Sequence, residues 1–341
     1  MRYNEYMRRD ACFTDFYERM NVFMKQQEVT LESVTKRRNL GWRLKKEFVT
    51  NRYLYLLAIP ILAYYIIFQY IPMYGVLIAF KQYDMNLGIL GSPWVGLKHF
   101  ADFFNSVYFV RVMRNTLIIS LYSLIVGFPM PIIFALLLNE IKNTGFKKVV
   151  QTATYLPYFI SIVVICGMIV DFFGINGIVT KALMLFGGEN MNYVGSNQTF
   201  RHVLVWTDIW QDVGWGSIVY LAALTGVDQQ LYEAAIIDGA GRWKQTWHIT
   251  LPGIAPTIIV MLIMRIGSLL SVGYEKIILL YGPTTKETAE VISSYVYQRG
   301  IGESMQLSYS TAVGLFQSVV NVILLTVSNT LSKKFTDSSL F

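Results

Sequence analysis

Charge is scarce in this chain of 341 residues: 15% of them are Asp, Glu, Lys or Arg, against 54% hydrophobic. Ordinary soluble domains carry about 25% charged residues. A deficit of that size excludes a surface made wholly for water and points to one that faces lipid. Cysteine is scarcer still. Cys12 falls in a basic leader and Cys166 in an apolar run, so the two cannot staple a fold. The three histidines, His99, His202 and His248, lie far apart, with no HExxH or CxxC arrangement, which removes the usual metal sites. No GxSxG sequence occurs, and nothing else suggests a catalytic site. No GxxxxGK[ST] sequence occurs either, so the chain lacks its own nucleotide-binding loop. Residues 1–50 lack the apolar core and small-residue cleavage site of a secretory signal.

What the chain has is long apolar runs. A membrane-crossing helix needs about 20 predominantly apolar residues. Six segments qualify, at about 53–80, 116–138, 155–173, 203–224, 254–281 and 311–331. The fourth is less apolar and rich in tryptophan. Pro60, Pro72, Pro129, Pro131 and Pro157 fall within or beside these runs and imply kinks that neighbouring helices can tolerate. The expected fold is therefore an all-α integral membrane bundle. It divides into a cytoplasmic basic leader at 1–52, a six-span domain at 53–331 and a cytoplasmic tail at 332–341. A short amphipathic helix at Asp10–Lys25 and a frayed extension are equally compatible with the leader.

Basic residues choose the orientation. Twelve of the 29 Lys and Arg precede Tyr53, and nineteen fall on 1–52, 139–154, 225–252 and 332–341. Eight fall on the opposite segments. Cytoplasmic segments carry such an excess, so both termini are expected inside. The net charge of +7 thus reads as a membrane anchor and not as a nucleic-acid surface. On the outer side, the Gly- and Pro-rich stretch within 81–112 suits a folded cap or a plain solvated loop.

The inner loop at 228–252, DQQLYEAAIIDGAGRWKQTWHITLP, is the most informative stretch. Asp228 can cap a helix on which Leu231, Ala234 and Ala235 share a face. Gly239 supplies the permissive backbone of a sharp helix end. A second short helix is expected from Ala240, with Trp243 and Trp247 one turn apart, ended by Pro252 before the next span. Two exposed indoles on a surface helix serve either the lipid headgroups or a groove on a soluble partner.

This loop resembles the EAA loop of permeases from binding-protein-dependent ABC importers, written EAA, three residues, G, nine residues, I, one residue, LP. Glu233-Ala234-Ala235, Gly239, Ile249, Leu251 and Pro252 match it with both gaps. Tyr70–Gly75, Gly91–Leu97, Gly273–Lys276, Leu279–Pro283 and Tyr295–Gly300 are similar to the polysaccharide-type, LplB-like branch. The leader before Lys45 is longer than that branch usually carries. The resemblance implies the type I importer permease fold. It also implies a coupling helix, formed by Glu233, Ala234, Ala235, Asp238, Gly239, Ala240, Trp243, Trp247, Ile249, Leu251 and Pro252, that fits a cleft on an ATPase. Glu233 would cap or pair within the loop, or meet a basic group on that ATPase. The implied partners are a second homologous and distinct permease, two ATPase subunits that hold ATP and Mg²⁺, and an extracellular solute-binding lipoprotein. The implied location is the bacterial cytoplasmic membrane, and the implied cargo is an oligosaccharide or polysaccharide fragment.

Ionisable groups inside spans usually face a wet path. Arg265 lies about 20 Å along a helix from Pro252, at 1.5 Å per residue. Glu275 and Lys276 lie about ten residues further on, near the outer mouth, and Tyr274 beside them is a further candidate for the path. Asp208 and Asp212 are four residues apart, as are Trp206 and Trp210, and one face bearing both pairs would suit a sugar. An aromatic belt and structural ion pairs are the competing explanations. Two other functional classes remain at this point. An ion-coupled carrier or channel would predict paired broken helices, and a membrane enzyme would need a clustered nucleophile or metal site.

Overall fold

The computed structural model describes residues 50–302, 304–336 and 340. The possible helix at Asp10–Lys25, and the leader before residue 50, lie outside them. Contacts divide the chain into two compact units, Met1–Tyr74 and Gly75–Phe341. In the first, α1 (Arg52–Tyr65) contains Pro60, buries none of its residues and runs into a π-turn at Ile66–Tyr70. A 3₁₀ stretch, Ile71–Phe80, carries the chain into the second unit.

The described part of the second unit consists of helices and the loops that join them, with one isolated bridge between Lys81 and Trp94. Its main helices are α2 (Lys98–Phe104), α3 (Val107–Glu140), α4 (Thr144–Tyr155), α5 (Ile162–Phe173), α6 (Ile178–Leu185) and α7 (Phe200–Thr225). They continue as α8 (Gln229–Ile237), α9 (Arg242–Gly267), α10 (Tyr274–Leu280), α11 (Ile292–Tyr297) and α12 (Leu307–Thr336). Among the described residues, five stretches are long and apolar enough to cross a membrane: Arg52–Phe80, Val107–Glu140, Ile162–Leu185, Arg242–Gly267 and Leu307–Lys334. The expected fourth span is α7, which at 26 residues has the length but less apolarity. Its buried faces hold Val203, Leu204, Val205 and Ile209, packed with Ile165, Cys166 and Ile169 of α5 and Ile277 of α10.

Prolines shape these helices in a repeated way. π-Turns at Ile66–Tyr70, Ser123–Gly127 and Thr246–Thr250 each end two residues before a proline, namely Pro72, Pro129 and Pro252. A proline ring clashes with the carbonyl four residues back and offers no N–H. Widening the preceding turn relieves both problems without breaking the helix. This corrects the expectation that Pro252 ends one helix before another begins. The π-turn absorbs it, and Arg242–Gly267 is one helical run.

The fifth span is corrected in the other direction. It was expected as one segment over 254–281, but α9 stops at Gly267 and α10 starts at Tyr274. Side chains from distant helices satisfy the backbone freed between them. Asn321 Oδ1 accepts from Leu270 N at 3.1 Å, and Gln317 Nε2 donates to Leu270 O at 2.9 Å. Irregular backbone at membrane depth needs such internal partners.

The stretch 81–112 is a folded cap. Lys81 Nζ donates to the carbonyls of Ile89 and Leu90 at 2.8 and 3.0 Å. The Phe80 and Trp94 rings stack with centroids 5.7 Å apart.

Candidate functional site

Polar chemistry and accessibility coincide in the loop between α7 and α9 and in a cavity among α3, α7, α9 and α10. In the loop, Asp228 Oδ1 caps α8 by accepting from Gln230 N at 2.9 Å. The helix ends at Gly239, with φ +75. Gly239 N donates to Ile236 O at 3.0 Å and Ala240 N to Ala235 O at 2.8 Å, the paired bonds of a Schellman end. The bend is tied down further by Gln245 Nε2 to Ala240 O at 2.8 Å and by Tyr232 Oη with Thr250 Oγ1 at 2.9 Å. An Arg242–Glu140 ion pair at 2.8 Å links the loop to the end of α3.

On this rigid support the loop exposes apolar side chains: Ile236, Ile237, Trp243 (80% exposed) and Trp247 (64% exposed). Glu233, Ala234 and Asp238 are exposed beside them, while Ala235, Ala240, Ile249 and Leu251 are partly covered. Pro252 is exposed and sits in the first turn of the helix that follows the π-turn. Apolar groups displayed on a preformed surface suit docking against a partner or a lipid interface.

The cavity, of about 270 Å³, is lined by Asp208, Gln211 and Asp212 from α7, Arg265 from α9, Glu275 and Lys276 from α10, and serines that include Ser120 and Ser123. A second cavity shares Ser123, Asp208, Asp212 and Arg265. Lys276 is buried, and its Nζ donates to Asp208 Oδ1 at 2.6 Å. Arg265 Nη2 donates to Ser123 Oγ at 2.7 Å. Asp208, Asp212, Arg265, Glu275 and Lys276, which the sequence singled out as charges within spans, all line this cavity, while Gln211 and Ser123 were not singled out. The Asp208–Lys276 bond spans 68 residues of chain, and no local pattern announces it.

The indoles do not join this site. At 3.6 residues per turn, Trp206 and Trp210 sit about 200° around α7 from Asp208 and Asp212. Both are about half exposed and line neither cavity. The single face expected to bear both pairs is therefore two faces. Tyr274 points elsewhere as well. It stacks on Tyr297 at 5.3 Å between centroids, in a neighbouring pocket that also holds Gln317.

Beyond the cavity, residues 286–290 are clamped to α3 and α7. Arg111 pairs with the buried Glu290, and Asn115 Nδ2 donates to the carbonyls of Glu287 and Glu290 at 2.8 and 3.0 Å. Arg201 Nη2 donates to Asn115 Oδ1 at 2.7 Å. The sequence reading assigned these residues no role.

Comparison with known proteins matches both regions. Residues 127–337 match the family described as the binding-protein-dependent transport system inner membrane component. The chain is 42% identical over 316 residues to the polygalacturonan/rhamnogalacturonan transport system permease protein YteP of Bacillus subtilis (strain 168), covering 92% of this chain and 98% of that protein. It is 46% identical over 292 residues to protein LplB of the same organism, covering 85% and 92%. Among solved structures, a chain of a bacterial ABC transporter involved in the import of the acidic polysaccharide alginate is 42% identical, with a TM-score of 0.79 over 86% of this chain and 99% of that one. A bacterial alginate ABC transporter in complex with an alginate pentasaccharide-bound periplasmic protein gives 0.79 at 41% identity, over 87% and 100%. The rigid loop, the polar cavity among apolar helices and these matches agree, and the chain belongs to the family of inner-membrane components of binding-protein-dependent transport systems, as a multi-pass permease.

Proposed function

We propose that this chain is the permease subunit of an ATP-driven importer in a bacterial cytoplasmic membrane. Its cargo is an oligosaccharide handed over by an extracellular binding lipoprotein. It works beside a second, distinct homologous permease. Two ATPase subunits, which hold ATP and Mg²⁺, dock on the α8 loop. The chain has six spans over 53–331, with the 1–52 leader and the 332–341 tail inside. An ion-coupled carrier would have no use for the loop.

One observation carries this reading: exposed apolar side chains sit on a stiff bend that runs without interruption into the helix bearing Arg265. From Arg242 to Arg265 is about 35 Å of helix at 1.5 Å per residue. A displacement imposed on Trp243 and Trp247 by closing ATPase subunits therefore reaches the cavity through one element. A break at Pro252 would dissipate it, and the π-turn carries the helix past that proline unbroken. In the cavity, carboxylates such as Asp212 accept hydrogen bonds from sugar hydroxyls. The names of the relatives support a glycan cargo. YteP is named for polygalacturonan and rhamnogalacturonan, and the solved transporter imports alginate.

The test is uptake by the full complex with loop variants. Gly239→Pro removes the donor that bonds Ile236 O and cannot adopt the positive φ. Glu233→Lys reverses an exposed charge at the docking surface. Each is expected to abolish uptake while the chain still inserts in the membrane. Normal coupling of ATP hydrolysis to uptake in both variants would refute the lever.

A further inference from the structure

Between Asp102 and Asp171 the sequence holds a single acidic residue, Glu140. Arg242 already pairs with it at 2.8 Å. Lys142, Lys147 and Lys148 follow Glu140 closely, and they form no ion pair among the described residues. Asn143 Oδ1 caps α4 by accepting from Phe146 N at 3.0 Å, which joins the turn bearing Lys142 to the helix bearing the other two. One side of α4 packs on α7, where Thr154 meets Gly214. Another side presents Phe146, Val149 and Leu156, all more than half exposed and spaced to share a face. The lysines sit at the start of the helix, and this apolar stripe runs on past them.

Depth decides what answers these charges. Gly214 stands near the middle of α7 (Phe200–Thr225), so Thr154 lies near the middle of the bilayer. Lys147 precedes Thr154 by about 10 Å of helix at 1.5 Å per residue, and Lys142 lies further out. The hydrocarbon core ends about 15 Å from its middle. A lysine stem crosses the remaining gap and delivers its ammonium to the level of the lipid phosphates. We propose that α4 binds an anionic phospholipid of the phosphatidylglycerol class, in the leaflet on the side of the α8 loop. Lys142, Lys147 and Lys148 hold its headgroup, and its acyl chains lie along Phe146, Val149 and Leu156. A zwitterionic lipid brings its own cation to the same place, which three lysines repel. A soluble anion would leave the apolar stripe unused. The inference needs only that the chain spans the membrane, so it stands or falls apart from the importer reading.

The experiment places the purified transport complex in nanodiscs of phosphatidylcholine with a minor share of phosphatidylglycerol. A trace of either lipid, carrying a photoactivatable group near its headgroup, is crosslinked and the labelled peptides are mapped. The phosphatidylglycerol probe is expected to label 142–149 about tenfold or more over the phosphatidylcholine probe, the scale set by several basic residues at a membrane surface. Lys147→Gln with Lys148→Gln should lower that preference about fivefold or more. Lys333→Gln with Lys334→Gln removes the same charge from the end of α12 and should leave it within about twofold. Lys147→Arg with Lys148→Arg should retain it, which keeps the site testable if the Gln variant assembles poorly. Equal labelling by the two probes would overturn the proposal, as would an equal loss in the α12 variant, since the charge would then act diffusely. Labelling abolished by soluble glycerophosphoglycerol would assign the lysines to a free phosphate and overturn the lipid. No labelling of 142–149 by either probe would mean that protein covers this face, and would overturn it as well.

Discussion

An ammonium with 5% of its side chain exposed cannot stay charged inside a helix bundle without an anion at hand, and Asp208 provides it for Lys276. The partners are unequal, since 40% of the Asp208 side chain remains exposed. Asp208→Asn should therefore strand a buried charge and lower the stability of the solubilised complex by about 2 kcal/mol, on the low side for breaking a buried pair. The double variant Asp208→Asn with Lys276→Met should recover most of that loss, because the orphaned charge is gone. Thermal unfolding midpoints of the four proteins form the double-mutant cycle. Additive losses would mean that the pair is not coupled. Gly239 acts at the same scale. Its positive φ lets two backbone N–H groups turn back onto α8, which makes the bend a fixed angle.

Helices α4 and α7 pack closely at Gly214. A Cβ built on Gly214 would lie 2.1 Å from the backbone oxygen of Thr154 and 3.0 Å from the Tyr155 ring. Close approach through small residues is how helices associate in lipid. Backbone cannot move aside as a flexible side chain would. Gly214→Ala is expected to cost about 3 kcal/mol, the upper part of the range for overpacking, seen as poor recovery of the assembled complex and a lower unfolding midpoint. Gly167→Ala on α5 is the control, because nothing lies within 4 Å of its Cβ position. Wild-type stability in both would show that the α4–α7 crossing relaxes freely. The broken fifth span is the other element with a task. Its gap leaves backbone groups bonded to Gln317 and Asn321 of α12, so α9, α10 and α12 are linked where the cavity opens.

For the molecule as a whole, the proposed orientation rests on the distribution of charge. Trp243 is exposed at the start of α9, in the segment that we propose lies inside because of the basic-residue excess. In a chain with Cys12 and Cys166 replaced by alanine, Trp243→Cys should react with a membrane-impermeant maleimide in inverted vesicles and not in intact cells. Bound ATPase subunits should slow that reaction. Labelling from outside would invert the topology and remove the docking surface from any cytoplasmic motor.

The sequence by itself determined what depends on local composition and short spacing. Apolar runs of membrane length, the Asp228 cap, the Gly239 turn and the EAA-type loop were all legible, because caps and turns are decided within a few residues. Arg265, Asp208, Asp212 and Glu275 stood out for a similar reason, as charges in apolar surroundings. Only the tertiary structure decided which charges meet. Lys276 finds Asp208, Arg265 finds Ser123 and Asn321 repairs the broken span across 51 to 142 residues of chain. It also decided that Pro252 continues a helix, since a widened turn upstream has no sequence mark of its own. The tryptophans of α7 went astray because equal spacing in sequence does not mean a shared face. A two-residue offset turns a side chain to the far side of a helix, and packing then determines which side becomes the cavity.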